Sequence, residues 1–201
     1  IMTITIQKGS NYPKEQLIQP LTNLILAGFE AKFTHRFFTT DEAQTIAYAL
    51  SVFLASEKAN NLLIAEKNGK ISGCLYFITK TDGSKLLQHY LQQSLPKNKR
   101  LKAWILLGFL SHQPKANERH IDFIAVSPVF RGLGIGGKLI QYCQDHCSES
   151  SLTLHVAKSN IGAYKLYQSK GFLVDKDLSS LIGRRMTGID DWWYMRWESF
   201  S

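Results

Sequence analysis

Cysteine is scarce in this chain. Its three thiols among 201 residues, Cys74, Cys143 and Cys147, are an odd set with no even disulfide framework, so a reducing, cytoplasmic setting is expected rather than secretion. Long apolar runs are lacking too. The most apolar stretch, Ala103 to Leu110, falls far short of the ~20 residues that cross a bilayer, and no membrane association is expected. The opening residues Ile1 to Ile6 carry no charged region followed by a long apolar one, so no secretory signal is read there. Internal repeats and low-complexity segments are absent, and the length suits a single domain over residues 1–201. Acids are outnumbered, 16 Asp and Glu against 24 Lys and Arg, and the net charge of +8 suits an anionic ligand. No basic repeat, zinc-finger spacing or aromatic-basic signature is present, which argues against a nucleic-acid partner.

What is there is a regular succession of elements. Thr3 and Thr5 alternate with Ile4 and Ile6, predicting a half-buried strand over Met2 to Gln7. Pro13 opens a helix with apolar positions at Leu17, Ile18, Leu21, Leu24, Ile25 and Phe29, and Pro20 is expected to kink or break it. Thr40-Asp41-Glu42 reads as the cap of a second helix, with Ile46, Leu50, Phe53 and Leu54 on its buried face. Leu62 to Glu66 and Ile71 to Ile78 flank Lys67-Asn68-Gly69-Lys70, a strong hairpin signal. Residues 84–113 read as a helical insertion, two helices around the basic break Pro96 to Arg100. A strand over Glu118 to Val126 and a helix over Lys138 to Cys147 follow. A strand over Ser151 to Ala157 then leads to a helix capped by Ser159-Asn160 and closed by Lys170-Gly171. Phe172 to Val174 is extended, Asp177 to Gly188 reads as a loop, and Asp190 to Trp197 as an aromatic strand. The order β-α-α-β-β-(αα)-β-α-β-α-β-β predicts a mixed α/β sheet.

The chain is organised around Arg131-Gly132-Leu133-Gly134-Ile135-Gly136-Gly137, between a strand with a Ser-Pro turn and a helix. Glycines let a backbone approach a ligand closely, and the N–H groups of a first helical turn point at it with the positive end of the dipole. This is a diphosphate-binding device, and two kinds compete for it. Gly132 to Gly137 satisfies G-x-G-x-x-G, the dinucleotide fingerprint. That site also needs an acid at the end of the next strand to hold a ribose hydroxyl. Here the next strand ends Leu154-His155-Val156-Ala157, which argues against a nicotinamide cofactor.

The other kind uses more of the chain. Val126-Ser127-Pro128-Val129-Phe130-Arg131-Gly132-Leu133-Gly134-Ile135-Gly136 resembles the acetyl-CoA signature of the GNAT N-acetyltransferase superfamily, V-x-P-x-x-R/Q-G-x-G-I/L-G. Asn160-Ile161-Gly162-Ala163-Tyr164-Lys165-Leu166-Tyr167-Gln168-Ser169-Lys170-Gly171-Phe172 resembles that family's N-x-x-A-x-x-L-Y-x-x-x-G-F. The detailed likeness covers Glu118 to Val174, and the N-terminal half matches in layout. The resemblance implies a GNAT fold: about seven strands, splayed between the fourth and fifth, helices on both faces, and the helical insertion between the third and fourth.

It also implies direct attack of a primary amine, on a small molecule or a protein, on the acetyl thioester in a ternary complex. The backbone from Arg131 through Gly132, Leu133, Gly134, Ile135 and Gly136 to Gly137 would hold the pyrophosphate. The backbone of Ile124, Ala125 and Val126 would pair with pantetheine, and the Val126 N–H would face the thioester carbonyl. Tyr167 matches the family's general acid, and Asn160 and Tyr164 lie in the cofactor-binding helix. Alternation places Glu118, His120 and Asp122 on one strand face with Ile124, where His120 or an acid could serve as base. Cys143, His146 and Cys147 sit one helical turn apart, too few ligands for a closed zinc site, and no metal is expected. His155, Trp192 and Trp193 could line the substrate cleft, but strand and core roles are the preferred reading. The alternative to an enzyme is an acyl-CoA-binding regulatory module of the same fold. Monomer and homodimer both remain open.

Overall fold

The structure is a computed structural model that describes residues 3–29, 39–82, 90, 93, 112–179 and 191–199. Its strands are β1 (Ile4–Lys8), β2 (Leu62–Lys67), β3 (Lys70–Thr79), β4 (Glu118–Val126), β5 (Ser151–Ala157), β6 (Leu173–Ser179) and β7 (Asp191–Glu198). Its helices are α1 (Lys14–Phe29), α2 (Thr40–Glu57), α3 (Ile135–Asp145) and α4 (Ile161–Ser169). The strands form one sheet in the order β1-β2-β3-β4-β5-β7-β6. Among the described strands only the central β4–β5 pair is parallel; its neighbours on both sides are antiparallel. The splayed mixed sheet expected from the sequence is the one observed.

Local chemistry explains the element ends. The β2–β3 hairpin turns on Asn68 and Gly69, at φ 53° and 72°, the two positive values that a type I′ turn demands. Thr39, one residue before the expected cap, closes a capping box with Glu42 at the start of α2. Asn160 caps α4 by accepting from the Ala163 N–H at 3.2 Å.

Helix α1 runs through Pro20, where a kink or break was expected. Leu17, Leu21, Leu24 and Ile25 are buried on both sides of the proline, so one missing N–H is outweighed by packing. Helices α1 and α2 cover one face of the sheet, burying Leu21, Phe53 and Leu54 against Ile64, Cys74 and Tyr76. The other face packs Leu139, Ile140 and Tyr167 of α3 and α4 against Leu75, Ile121, Leu154 and Met195.

Strand β6 extends to Ser179, into the segment read as a loop, because β7 supplies an antiparallel partner from Leu173↔Arg196 to Ser179↔Asp191. The rest of that segment, and nearly all of the insertion expected over residues 84–113, lie outside the described residues. Tyr90 is helical and stacks edge-on against Phe53 of α2, with ring centroids 5.6 Å apart. Among the described residues no helix is long and apolar enough to cross a membrane.

Candidate active site

The site begins where two strands part. Parallel pairing between β4 and β5 runs from Glu118↔Ser151 to Ile121↔Leu154 and ends there. Beyond that rung β4 follows β3, up to Gly73↔Val126, while β5 follows β7, up to Ala157↔Trp192. The wedge between them is a cleft of about 530 Å³. Residues 121–126 of β4 form one wall and 154–157 of β5 the other, and Arg131, Gly136, Asn160 and Tyr167 close the sides.

A β-bulge sets the chemistry of the β4 wall. Tyr76 pairs with Phe123, but the next residue, Phe77, pairs with Ile121, so Asp122 is the extra residue. A bulge shifts side-chain phase by one. Ahead of it, His120 pairs with Ile78 and faces the α1/α2 side, while Ile121 packs on the α3 side. After it, Phe123 and Ala125 face α1/α2, and Ile124 and Val126 pack toward α3. The alternation expected to put Glu118, His120 and Asp122 on the face of Ile124 is therefore broken. Asp122 is exposed and lines the cleft. Glu118 and His120 are each only 2% exposed and are not among the cleft-lining residues.

Strand alternation also fixes which backbone groups face the cleft. The Ser127 N–H donates to the Ser72 carbonyl on the β3 side at 2.9 Å. The N–H and C=O groups of Val126 and Ile124 therefore point away from β3, into the split. The Val126 carbonyl accepts there from Arg131 Nε at 3.3 Å. Arg131 Nη2 also donates to the Ala27 carbonyl at 3.4 Å, so this side chain ties the end of α1 to the glycine turn.

The turn itself has the form of an anion cradle. Gly132 and Gly134 stand at φ 76° and 78°, a region that side-chain-bearing residues avoid. A Cβ on Gly136 would lie 3.2 Å from Leu166 Cδ2, so a bare backbone keeps α3 close to α4. The first N–H groups of α3, at Ile135, Gly136 and Gly137, lie within the turn that has no intrahelical acceptors. An exposed backbone at the helix's positive end, with no side chain in the way, fits the pyrophosphate of acetyl-CoA. The side chains of the turn do otherwise: Ile135 is buried core and Leu133 half-exposed.

Tyr167 is buried on the α4 side of the cleft, and burial pushes its phenol well above the ordinary tyrosine value, so it keeps its proton at neutral pH. Asn160 lines the cleft and caps α4 at once. Tyr164 packs against Trp193 instead, with ring centroids 4.3 Å apart, and is not a cleft-lining residue.

Behind the β5 wall lies a polar network. Glu118 Oε1 accepts from His112 Nε2 at 2.6 Å, from the Thr153 hydroxyl at 2.9 Å and from the Tyr194 hydroxyl at 3.0 Å. Burial alone would raise the Glu118 carboxyl, but these bonds outweigh it and hold the group below the ordinary carboxylate range. His120 Nδ1 lies 2.8 Å from Thr153 Oγ1. Burial, then the neighbouring His112 and His155, push His120 well below the ordinary histidine value. His155 reaches both places: its ring centroid is 5.0 Å from that of His120, and it lines the cleft. Sequence reasoning missed His112, Thr153 and Tyr194. The period-2 pairing of Thr153 with His155 was the one available signal for them.

Comparison with known proteins agrees with this geometry. Residues 19–172, well over half of the chain, match the model of the acetyltransferase (GNAT) family, and the chain belongs to that family. The fold recurs in an N-acetyltransferase from Staphylococcus aureus Mu50, at TM-score 0.69 and 16% identity, covering 96% of this chain and 100% of that one. It recurs in yncA from Salmonella typhimurium, a structure holding its cofactor acetyl-CoA, at TM-score 0.60 and 16% identity, covering 97% and 93%. The mouse cysteine-rich protein 2-binding protein is 36% identical over 75 residues, which is 37% of this chain. The chain spans only 10% of the length of that relative. Acetyl transfer is the chemistry of the family.

Proposed function

We propose that this chain transfers the acetyl group of acetyl-CoA to a primary amine, on a small molecule or a protein, by direct attack within a ternary complex. Acetyl-CoA supplies an activated acetyl thioester when bound. The observation that carries the reading is the split itself, with the Asp122 carboxylate on the β4 wall and the Tyr167 phenol closing the α4 side.

Each group has one task. The N–H groups of the Arg131–Gly137 turn hold the pyrophosphate, and the open edge of Ile124 and Val126 holds the pantetheine arm, with the Val126 N–H aimed at the carbonyl oxygen. Asn160 orders the start of α4 beside them. Asp122 holds the incoming ammonium and takes its proton, directly or through water. Tyr167 keeps a proton on its hydroxyl for the thiolate that departs as the C–S bond breaks and the N–C bond forms. Glu118 and His120 lie behind the wall and do not act on the reacting atoms. The protein works in the cytoplasm as a monomer or homodimer, with no nucleic-acid partner.

The test is an acetyl-CoA assay across a panel of primary amines, reading CoA thiol release and the mass of the acetylated product. Amine-dependent release is expected. Asp122→Asn should lower kcat about 10²–10⁴-fold while acetyl-CoA affinity, read by calorimetry, stays unchanged. Acetyl-CoA binding with no turnover on any amine would leave a binding module instead, and acetyl groups found on oxygen or sulfur would overturn the amine assignment.

A further inference from the structure

Three histidines from three parts of the chain converge beside the cleft. His112 precedes β4, His120 lies within it, and His155 is on β5. One nitrogen from each ring can be chosen so that all three lie within 4.8 Å of one another. The His112 and His120 rings are stacked at 4.0 Å between centroids. Packing three imidazoles this closely demands a reason, because each has a lone pair and each repels its neighbours when protonated.

The hydrogen bonds fix the tautomers of two of the rings. The Thr153 hydroxyl has one proton and donates it to Glu118 Oε1 at 2.9 Å. It can only accept from His120, at 2.8 Å, so the proton of neutral His120 is on Nδ1 and its lone pair on Nε2. Glu118 is an ionised acceptor, so His112 donates to it from Nε2 at 2.6 Å, and in the neutral ring the lone pair is on Nδ1. A metal-bound histidine needs this arrangement: the far N–H is held by a carboxylate or another oxygen, and the near nitrogen is presented as a ligand. Among the described residues Glu118 Oε2 is buried with no hydrogen-bond partner, and Arg196 Nη2 is 4.0 Å away. The network therefore sets a buried carboxylate beside three imidazole rings.

We infer that His112, His120 and His155 form a binding site for a divalent first-row transition cation of the zinc class, with one coordination position turned to the cleft. Three imidazoles with no thiolate suit Zn²⁺, Co²⁺, Ni²⁺ or Cu²⁺ rather than Mg²⁺ or Ca²⁺, which take oxygen ligands. A tetrahedral ion at ~2.0–2.1 Å from each nitrogen would draw the ligands closer than they stand here. Because His155 lines the cleft, the remaining position opens there, as in a catalytic rather than a closed structural site. This proposal departs from the expectation of no metal, at a place unrelated to the cysteine-bearing helix. Cys143 is core, and His146 Nδ1 is 2.9 Å from the Tyr142 carbonyl.

The inference does not depend on acetyl transfer, and its test reads binding alone. Metal-free full-length protein is titrated with ZnCl₂ by calorimetry, and with Co²⁺ by visible absorption. One Zn²⁺ per chain at micromolar affinity or tighter is expected, with a Co²⁺ spectrum of four-coordinate intensity. His155→Ala and His112→Gln, in positions that are only half-buried, should each weaken binding about tenfold or more, and Glu118→Gln about 10–100-fold. The double variant His146→Ala/Cys147→Ser should bind like the parent. Circular dichroism and a thermal melt confirm that each variant is folded. The inference is overturned if the folded parent takes up no stoichiometric Zn²⁺, or if His155→Ala and His112→Gln bind it as the parent does.

Discussion

The two halves of β4 differ as much as two proteins might. From Glu118 to Ile121 the strand is buried, paired with β5 throughout and with β3 from Arg119 on, and carries an acid, an arginine and a histidine that all have partners. From Asp122 to Val126 it is bonded to β3 on one edge while the other lines a cleft. The closed half spends its polar side chains on structure. The open half turns its backbone, and one carboxylate, toward the cleft. Chemistry in this fold is thus placed by where pairing stops, more than by which side chains a strand carries.

The largest expected effect sharpens this contrast from the open side. Tyr167→Phe removes only the hydroxyl at the cleft, so kcat should drop about 10²–10⁴-fold, with the melting temperature close to the parent's. Equal activity in the variant would return Tyr167 to a packing role. Next, Ile121→Ala attacks the last closed rung. Ile121 is 3% exposed within the α3-side core, and its loss should cost about 2–5 kcal/mol by chemical denaturation. An effect under about 1 kcal/mol would mean that the rung is not what holds the strands together below the split.

The smallest effect concerns the far end of the closed half, where Thr79 pairs with Arg119. Asp82 clamps it, bonding Lys58 Nζ at 2.7 Å, Asn61 Nδ2 at 2.8 Å and the Thr79 N–H at 2.8 Å. Burial alone would raise its carboxyl, but the bonds from Lys58 and Thr79 outweigh it and hold the group below the ordinary aspartate value. A carboxyl lowered on folding contributes its stability above its unfolded value and loses it as pH falls through the folded one. Asp82→Asn should therefore cost about 1–3 kcal/mol at pH 7, with the difference from the parent shrinking through the acid range. A pH-independent difference would show that the charge of Asp82 is not the source of its effect.

Much of the fold was legible because it rests on local signals. Asn68-Gly69 specified a hairpin, Asn160 a helix start, and the glycine turn with the Asn160–Phe172 segment led to the cradle and Tyr167. What escaped is non-local. Periodicity counts residues and could not see that Asp122 is an extra one, so it carried Glu118 and His120 to the wrong side of Ile124. Pro20 does not end α1, because apolar burial around it is a tertiary effect. His112 follows no motif. Only the pairing of β4, β5 and β7 brings it to Glu118, His120 and Tyr194.

Asp122 has one more consequence, for tolerance to change in chain length. The strand's inside and outside are assigned by parity, and this single residue resets the count midway. Substituting it alters one side chain. Deleting it would exchange the two sides for either Glu118 to Ile121 or Phe123 to Val126, exposing one set of apolar groups and burying the polar ones. The position is therefore more tolerant of a new residue than of a missing one.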